Sequence, residues 1–214
     1  MNSRDSSSTA EVPSPASTST PNARRTGGDS PSSTAGSSAT CPTRTSAKAS
    51  VAEIAKIGHI DLLINNAGQP SFKTPTAYEA ADVDKCLKGL KGMILWCVQT
   101  LKACDEQNLK IANVMSTAAT RGNANESVYC ATKWGEKGYT QSLKAAYKGS
   151  SVTVVGVYPG GIDTDFYRES HDYVSLDKQH TFMPAADLAG VMLDNLLSEA
   201  RLTVSDILIE RLYR

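Results

Sequence analysis

Across its first fifty residues the chain holds no Ile, Leu, Phe, Tyr or Trp, and Met1 and Val12 are its only larger aliphatic side chains. Ser, Thr, Pro, Ala, Gly and Arg fill the segment instead. Such a stretch cannot bury enough apolar surface to offset the entropy of ordering it. We therefore read residues 1–50 as low-complexity and disordered, and assign the fold to residues 51–214. The segment lacks the apolar core of a secretory signal, while its Ser and Arg content leaves a transit peptide open.

The remainder alternates helical and extended patterns. Val51, Ile54, Ala55 and Ile57 recur at helical spacing over Ala47 to Ile57, before Gly58 as a C-cap. Ile60–Asn65 reads as a buried strand, Thr76–Leu87 and Leu90–Gln107 as two helices, and Lys110–Met115 as the next strand. Ser127–Tyr147 reads as a helix with Ser127 as N-cap and Ala131, Trp134, Gly138 and Leu143 on its packing side. Ser150–Tyr158 is a β-branched strand, Phe166–Met183 is irregular, Pro184–Glu199 is a helix, and Thr203–Glu210 is the last strand. Alternation of this kind predicts an α/β fold, a Rossmann-like doubly wound parallel sheet with helices on both faces. Ligands of such sheets sit outside the carboxyl ends of the strands.

Three turn motifs fall at successive strand ends: Asn66-Ala67-Gly68, Ser116, and Pro159-Gly160-Gly161. The helix after Ser116 carries Tyr129-x-x-x-Lys133, which places a phenol and an ammonium one turn apart on one face. A nearby cation favours the phenolate and lowers a phenol's ordinary pKa of about 10. Tyr129 is thus a candidate general acid or base, Lys133 its tuner, and Ser116 the holder of a substrate oxygen. A Tyr-x-x-x-Lys pair alone is common on exposed helices; here its company gives it weight.

Together, Asn65-Asn66-Ala67-Gly68, Ser116 a dozen residues ahead of Tyr129-x-x-x-Lys133, and Pro159-Gly160-Gly161-Ile162-Asp163-Thr164 resemble the short-chain dehydrogenase/reductase family over about residues 51–214. The resemblance implies an NAD(P)-dependent oxidoreductase that interconverts a carbonyl and a secondary alcohol. Ser116, Tyr129 and Lys133 would be catalytic. Asn66, Ala67, Gly68, Tyr129, Lys133, Pro159, Gly160, Ile162 and Thr164 would hold NAD or NADP; Thr164 reads equally well as a helix N-cap. It further implies a homodimer or tetramer formed through helices 90–107 and 127–147. Two departures stand out. The family's glycine-rich turn between first strand and first helix has no counterpart, because Thr26-Gly27-Gly28 is followed by Asp29-Ser30-Pro31. Gly89 stands where the family has an Asn that anchors a water linking the Lys to solvent. The N-terminal half of the fold is thus expected to be truncated or replaced. A catalytically inactive fragment, or a dimerisation partner without the pyrophosphate-binding half, is the alternative.

Lys plus Arg and Asp plus Glu number 22 each, so a net charge of zero suggests neither nucleic acid nor an anionic membrane as partner. No run of 18 apolar residues exists. Five cysteines without a C-x-x-C pair fit reduced thiols in the cytoplasm, and three scattered histidines argue against a His-based metal site.

Overall fold

The computed structural model describes residues 44–167, 182–198 and 203–211. Residues 1–43, with Thr26-Gly27-Gly28 and Cys41, lie outside it, as do His171 and His180.

Four strands form one parallel sheet: β1 (Leu62–Asn65), β2 (Lys110–Val114), β3 (Thr153–Pro159) and β6 (Asp206–Ile209), side by side in that order. Two short strands, β4 (Ile162–Asp163) and β5 (Met183–Pro184), make a second parallel pair. The helices are α1 (Arg44–Ala55), α2 (Ala80–Ala103), α3 (Ser127–Ala146) and α4 (Ala185–Leu196).

Side chains on successive strand residues point to opposite faces, and here both faces are covered. Ile111, Met115, Val154 and Tyr158 pack with Met93, Cys97 and Leu101 of α2 and with Tyr139 and Leu143 of α3. Ala112, Val114, Val155 and Val157 pack on the other side with Leu188, Met192 and Leu196 of α4. Each fully buried aliphatic side chain of this kind contributes about 1.5–3 kcal/mol. Among the described residues no strand pairs with the far edge of β1.

Several expectations need correction. Residues 44–50, expected to be disordered and outside the fold, form the start of α1, with Ala47 fully buried. The two helices placed at 76–87 and 90–107 are one, because the stripe Cys86, Met93, Cys97 and Leu101 stays buried through Gly89. A glycine fits there because a Cβ would lie 3.5 Å from the Ala67 carbonyl oxygen and 3.6 Å from the Gly68 Cα. In α1, Ala47 and Val51 are buried whereas Ile54 and Ile57 are exposed; the helix stops at Ala55, before Gly58. In α3 the expected packing residues Ala131, Trp134 and Gly138 are exposed, and the inward face is Tyr129, Thr132, Lys133, Glu136 and Thr140. The N-cap of α3 is Glu126 rather than Ser127, its carboxylate held by the Asn123 amide at 2.9 Å. No described helix is long and apolar enough to cross a membrane.

Candidate active site

The polar inward face of α3 is explained by what it meets. A buried ladder crosses from the sheet: the Asn65 amide donates to Asn113 Oδ1 at 2.8 Å, and the Asn113 amide donates to Thr140 Oγ1 at 3.0 Å. The Thr140 hydroxyl in turn donates to the Glu136 carbonyl at 2.7 Å. Every member has a partner, so the ladder fixes α3 against β1 and β2 without leaving a buried polar group unmade.

Beyond the carboxyl ends of β1, β2 and β3 lies a cleft of about 140 Å³. Asn66, Gly68, Ser116, Tyr129, Lys133, Pro159, Gly160, Ile162 and Thr164 all line it. Ala67 does not; it lines a neighbouring, more apolar cleft of about 280 Å³ with Ile64, Gly89 and Trp96. Ser116 lies two residues beyond β2 and heads a 3₁₀ turn, its Oγ accepting from the Ala118 N–H at 3.1 Å. Gly68 has no side chain where a Cβ would come within 3.4 Å of Lys133 Nζ. Gly160 is tied to β6 by its N–H donating to the Ile209 carbonyl at 2.8 Å. Thr164 Oγ1 accepts from the Phe166 N–H at 3.4 Å, so it heads a turn there.

Tyr129 is buried in the first turn of α3, edge-on to Phe72 with ring centroids 5.4 Å apart and close to Phe166 at 6.0 Å. Lys133 Nζ lies 5.6 Å from the centre of its ring. Burial drives the Tyr129 phenol above its ordinary value; the Ser116 hydroxyl opposes this, and the carboxylates of Glu136 and Glu126 add to it. Burial thus outweighs the lowering expected of Lys133. The reason is local: Lys133 is buried against Glu136, Nζ to Oε2 2.8 Å, and its charge is matched there. Tyr129 is accordingly a protonated phenol at neutral pH, the form that can donate.

Sequence reading missed Glu136 and the aromatic wall of Phe72, Phe166 and Tyr167. Glu136 lies three residues after Lys133, a spacing that puts both on one helix face and could have flagged it. Phe72 carries no such signal, since it reaches Tyr129 from a loop.

A model of the short chain dehydrogenase family matches residues 28–174. The chain belongs to that family. Sepiapterin reductase from Chlorobaculum tepidum is 28% identical over 159 residues, covering 73% of this chain and 63% of that protein. Levodione reductase from Leifsonia aquatica is 32% identical over 118 residues, covering 54% of this chain and 44% of that protein. The chain thus spans 44–63% of the length of these relatives. Among solved structures, a short-chain dehydrogenase/reductase from Vibrio parahaemolyticus superposes with a TM-score of 0.68 at 26% identity, covering 79% of this chain and 74% of that one. An alcohol dehydrogenase from Thermococcus sibiricus complexed with 5-hydroxy-NADP superposes at 0.71 with 16% identity, over 80% of this chain and 72% of that one, a likeness of fold.

Proposed function

We propose that the chain is an NAD(P)-dependent oxidoreductase interconverting a small carbonyl compound and its secondary alcohol, with Tyr129 as proton donor and acceptor. The observation that carries this reading is the meeting of Ser116, Tyr129 and Lys133 in one cleft at the carboxyl rim of the sheet. The donor set fits the nicotinamide half of such a cofactor. Lys133 reaches the glycine gap at Gly68, and Asn66 stands beside it; both suit ribose hydroxyls. Pro159, Gly160, Ile162 and Thr164 supply a close wall for a flat ring. Ala67 lies outside this set. Among the described residues no glycine-rich strand-to-helix turn offers a pyrophosphate cradle.

When bound, the cofactor supplies or accepts the hydride. In reduction the Tyr129 hydroxyl gives its proton to the carbonyl oxygen, and Ser116 donates a hydrogen bond that keeps that oxygen in line. In oxidation the same phenolic oxygen takes the proton back. Phe72, Phe166 and Tyr167 limit water around it, which strengthens both hydrogen bonds.

Titration with NADPH and with NADH, followed by nicotinamide fluorescence, tests the grip; turnover on a panel of small ketones and aldehydes tests the chemistry. A positioned acid contributes about 10²–10⁴-fold, so Tyr129→Phe should lower turnover by at least about a hundredfold with the fold intact. Retention of a tenth of the rate would overturn the assignment. One observation favours a second reading, a family member without turnover or a dimerisation partner: β1 has an unpaired far edge among the described residues. Absence of binding at millimolar cofactor would select it.

We also read residues 1–50 as low-complexity in composition, with 44–50 already part of α1, and the chain as cytoplasmic, consistent with the free, buried thiols of Cys86, Cys97, Cys104 and Cys130. A homo-oligomer through helices 90–107 and 127–147 is consistent with Trp134, 48% exposed on the outer face of α3 beside Ala131 and Gly138. Its mass in solution is the check.

A further inference from the structure

The site holds a charged side chain that the proposed chemistry does not use. Glu136 is 1% exposed and its only ionic partner among the described residues is Lys133, itself 5% exposed. A buried carboxylate of this kind needs room and a reason. The room comes from α2: a Cβ at Gly89 would lie 3.4 Å from Glu136 Oε1, so the carboxylate occupies space that a side chain at position 89 would otherwise enter. The backbone of Glu136 is fixed as well, through its carbonyl, by Thr140 and so by the ladder to Asn113 and Asn65. Carboxylate, ammonium and phenol thus form a row along one face of α3, ending at the cleft.

We propose that Glu136 is a positioning residue for the Tyr129–Lys133 pair: seated in the gap left by Gly89, its carboxylate fixes the Lys133 ammonium and governs how readily Tyr129 releases its proton. This rests on the reading of Tyr129 as the acid and base of the site. The groups facing Tyr129 are few. From α3 and its start come Lys133, Glu136 and Glu126; from α2 comes Cys86; from the end of β2 comes Ser116; from the turn after β4 comes Tyr167. Glu136 and Lys133 form the one directly bonded ionic pair in that set. Removing the carboxylate leaves the ammonium unmatched beside the phenol, and an unmatched cation favours the phenolate. Burial and the Glu136 charge both hold the proton on Tyr129 in the native chain.

The test reads the phenol directly and needs neither turnover nor cofactor. The full chain is labelled with ¹³Cζ-tyrosine, and the Tyr129 resonance is assigned by its loss in Tyr129→Phe. In the native protein its midpoint should lie above the ordinary tyrosine value of about 10. In Glu136→Gln it should begin to move about one pH unit or more lower, the size expected of a close cation. An unchanged or higher midpoint in a folded Glu136→Gln would overturn the proposal. Should that variant not fold, the native chain still decides: with ¹³Cδ-glutamate, the Glu136 resonance (assigned by its loss in Glu136→Asp) must be that of a carboxylate at pH 8. A protonated Glu136 there would overturn the proposal. If Tyr129→Phe keeps its turnover, the acid–base reading fails, whereas the phenol titration, which needs no turnover, decides the role of Glu136 separately.

Discussion

Two lysine–carboxylate pairs in this molecule have the same length and opposite meanings. Lys133–Glu136 and Lys73–Asp82 are each closed at 2.8 Å. The first is 5% and 1% exposed, inside α3 and against the cleft. The second is 29% and 18% exposed, at the start of α2. There Asp82 also accepts from the Glu79 N–H at 2.9 Å and completes a capping box, so the pair serves the helix end it sits on. The buried pair serves no helix end. Desolvating two charges costs more than their attraction returns unless geometry and hydrogen bonds are very good, so a buried pair is poor evidence of a stability device. Identical geometry therefore marks a cap in one place and a site in the other, and burial decides which.

Breaking the buried pair should produce the largest effect. Lys133→Met leaves Glu136 as an uncompensated interior charge, a change of about 3–5 kcal/mol. Burial already raises the Glu136 carboxyl above its ordinary value, and Lys133 pulls it back down. Without Lys133 it takes up a proton more readily, so the deficit should shrink as pH falls and neutralises it. Urea unfolding at pH 8 and pH 5 checks both statements; a loss below about 1 kcal/mol at pH 8 would erase the contrast with the surface pair.

A third pair sharpens the comparison from the middle. Lys144 and Asp206 meet at 2.6 Å and are 16% and 40% exposed, joining α3 to β6. Screening should hold the loss in Lys144→Ala to about 0.2–1 kcal/mol, measured by the same unfolding experiment. A larger loss would mean that the α3–β6 contact, and not burial alone, sets the value of such a pair.

The contrast also shows which parts of this chain could be read from its residues. The parallel sheet and the rim were legible, because Asn66-Ala67-Gly68, Ser116 and Pro159-Gly160 are local turn signals placed at strand ends, and topology alone brings them together. The facing of α3 was not. A pattern reading assigns Ala131, Trp134 and Gly138 to the core, whereas the structure buries Thr132, Lys133, Glu136 and Thr140. A helix whose inward face is polar defeats amphipathic logic, and it can do so only where each polar group finds a partner, as Thr140 finds Asn113 and Lys133 finds Glu136. The continuity of α2 was hidden for a related reason. Glycine at position 89 reads as a break costing about 1 kcal/mol against alanine, while its value is the close approach to Ala67 and Gly68 that only the folded chain reveals.

The smallest expected effect separates the two 2.8 Å pairs by pH and salt. The Lys73 ammonium and the Glu79 N–H hold the Asp82 carboxyl below its ordinary value of 3.8. A depressed folded value means that the unfolded chain binds the proton first as pH falls. The stabilisation from Asp82 is thus complete above the ordinary aspartate range and is lost as pH falls through the lower, folded value. Asp82→Asn cannot titrate, so its deficit against the native chain should be greatest near neutral pH and fade in acid. At 1 M salt, where the screening length is about 3 Å, that deficit should shrink at neutral pH too, while the deficit in Lys133→Met, shielded from solvent ions, should not. Thermal unfolding of both variants across pH and salt makes the comparison. Equal salt sensitivity in the two would mean that water and ions reach Glu136 as readily as Asp82, and that burial does not distinguish the pair in the cleft from the pair at the helix end.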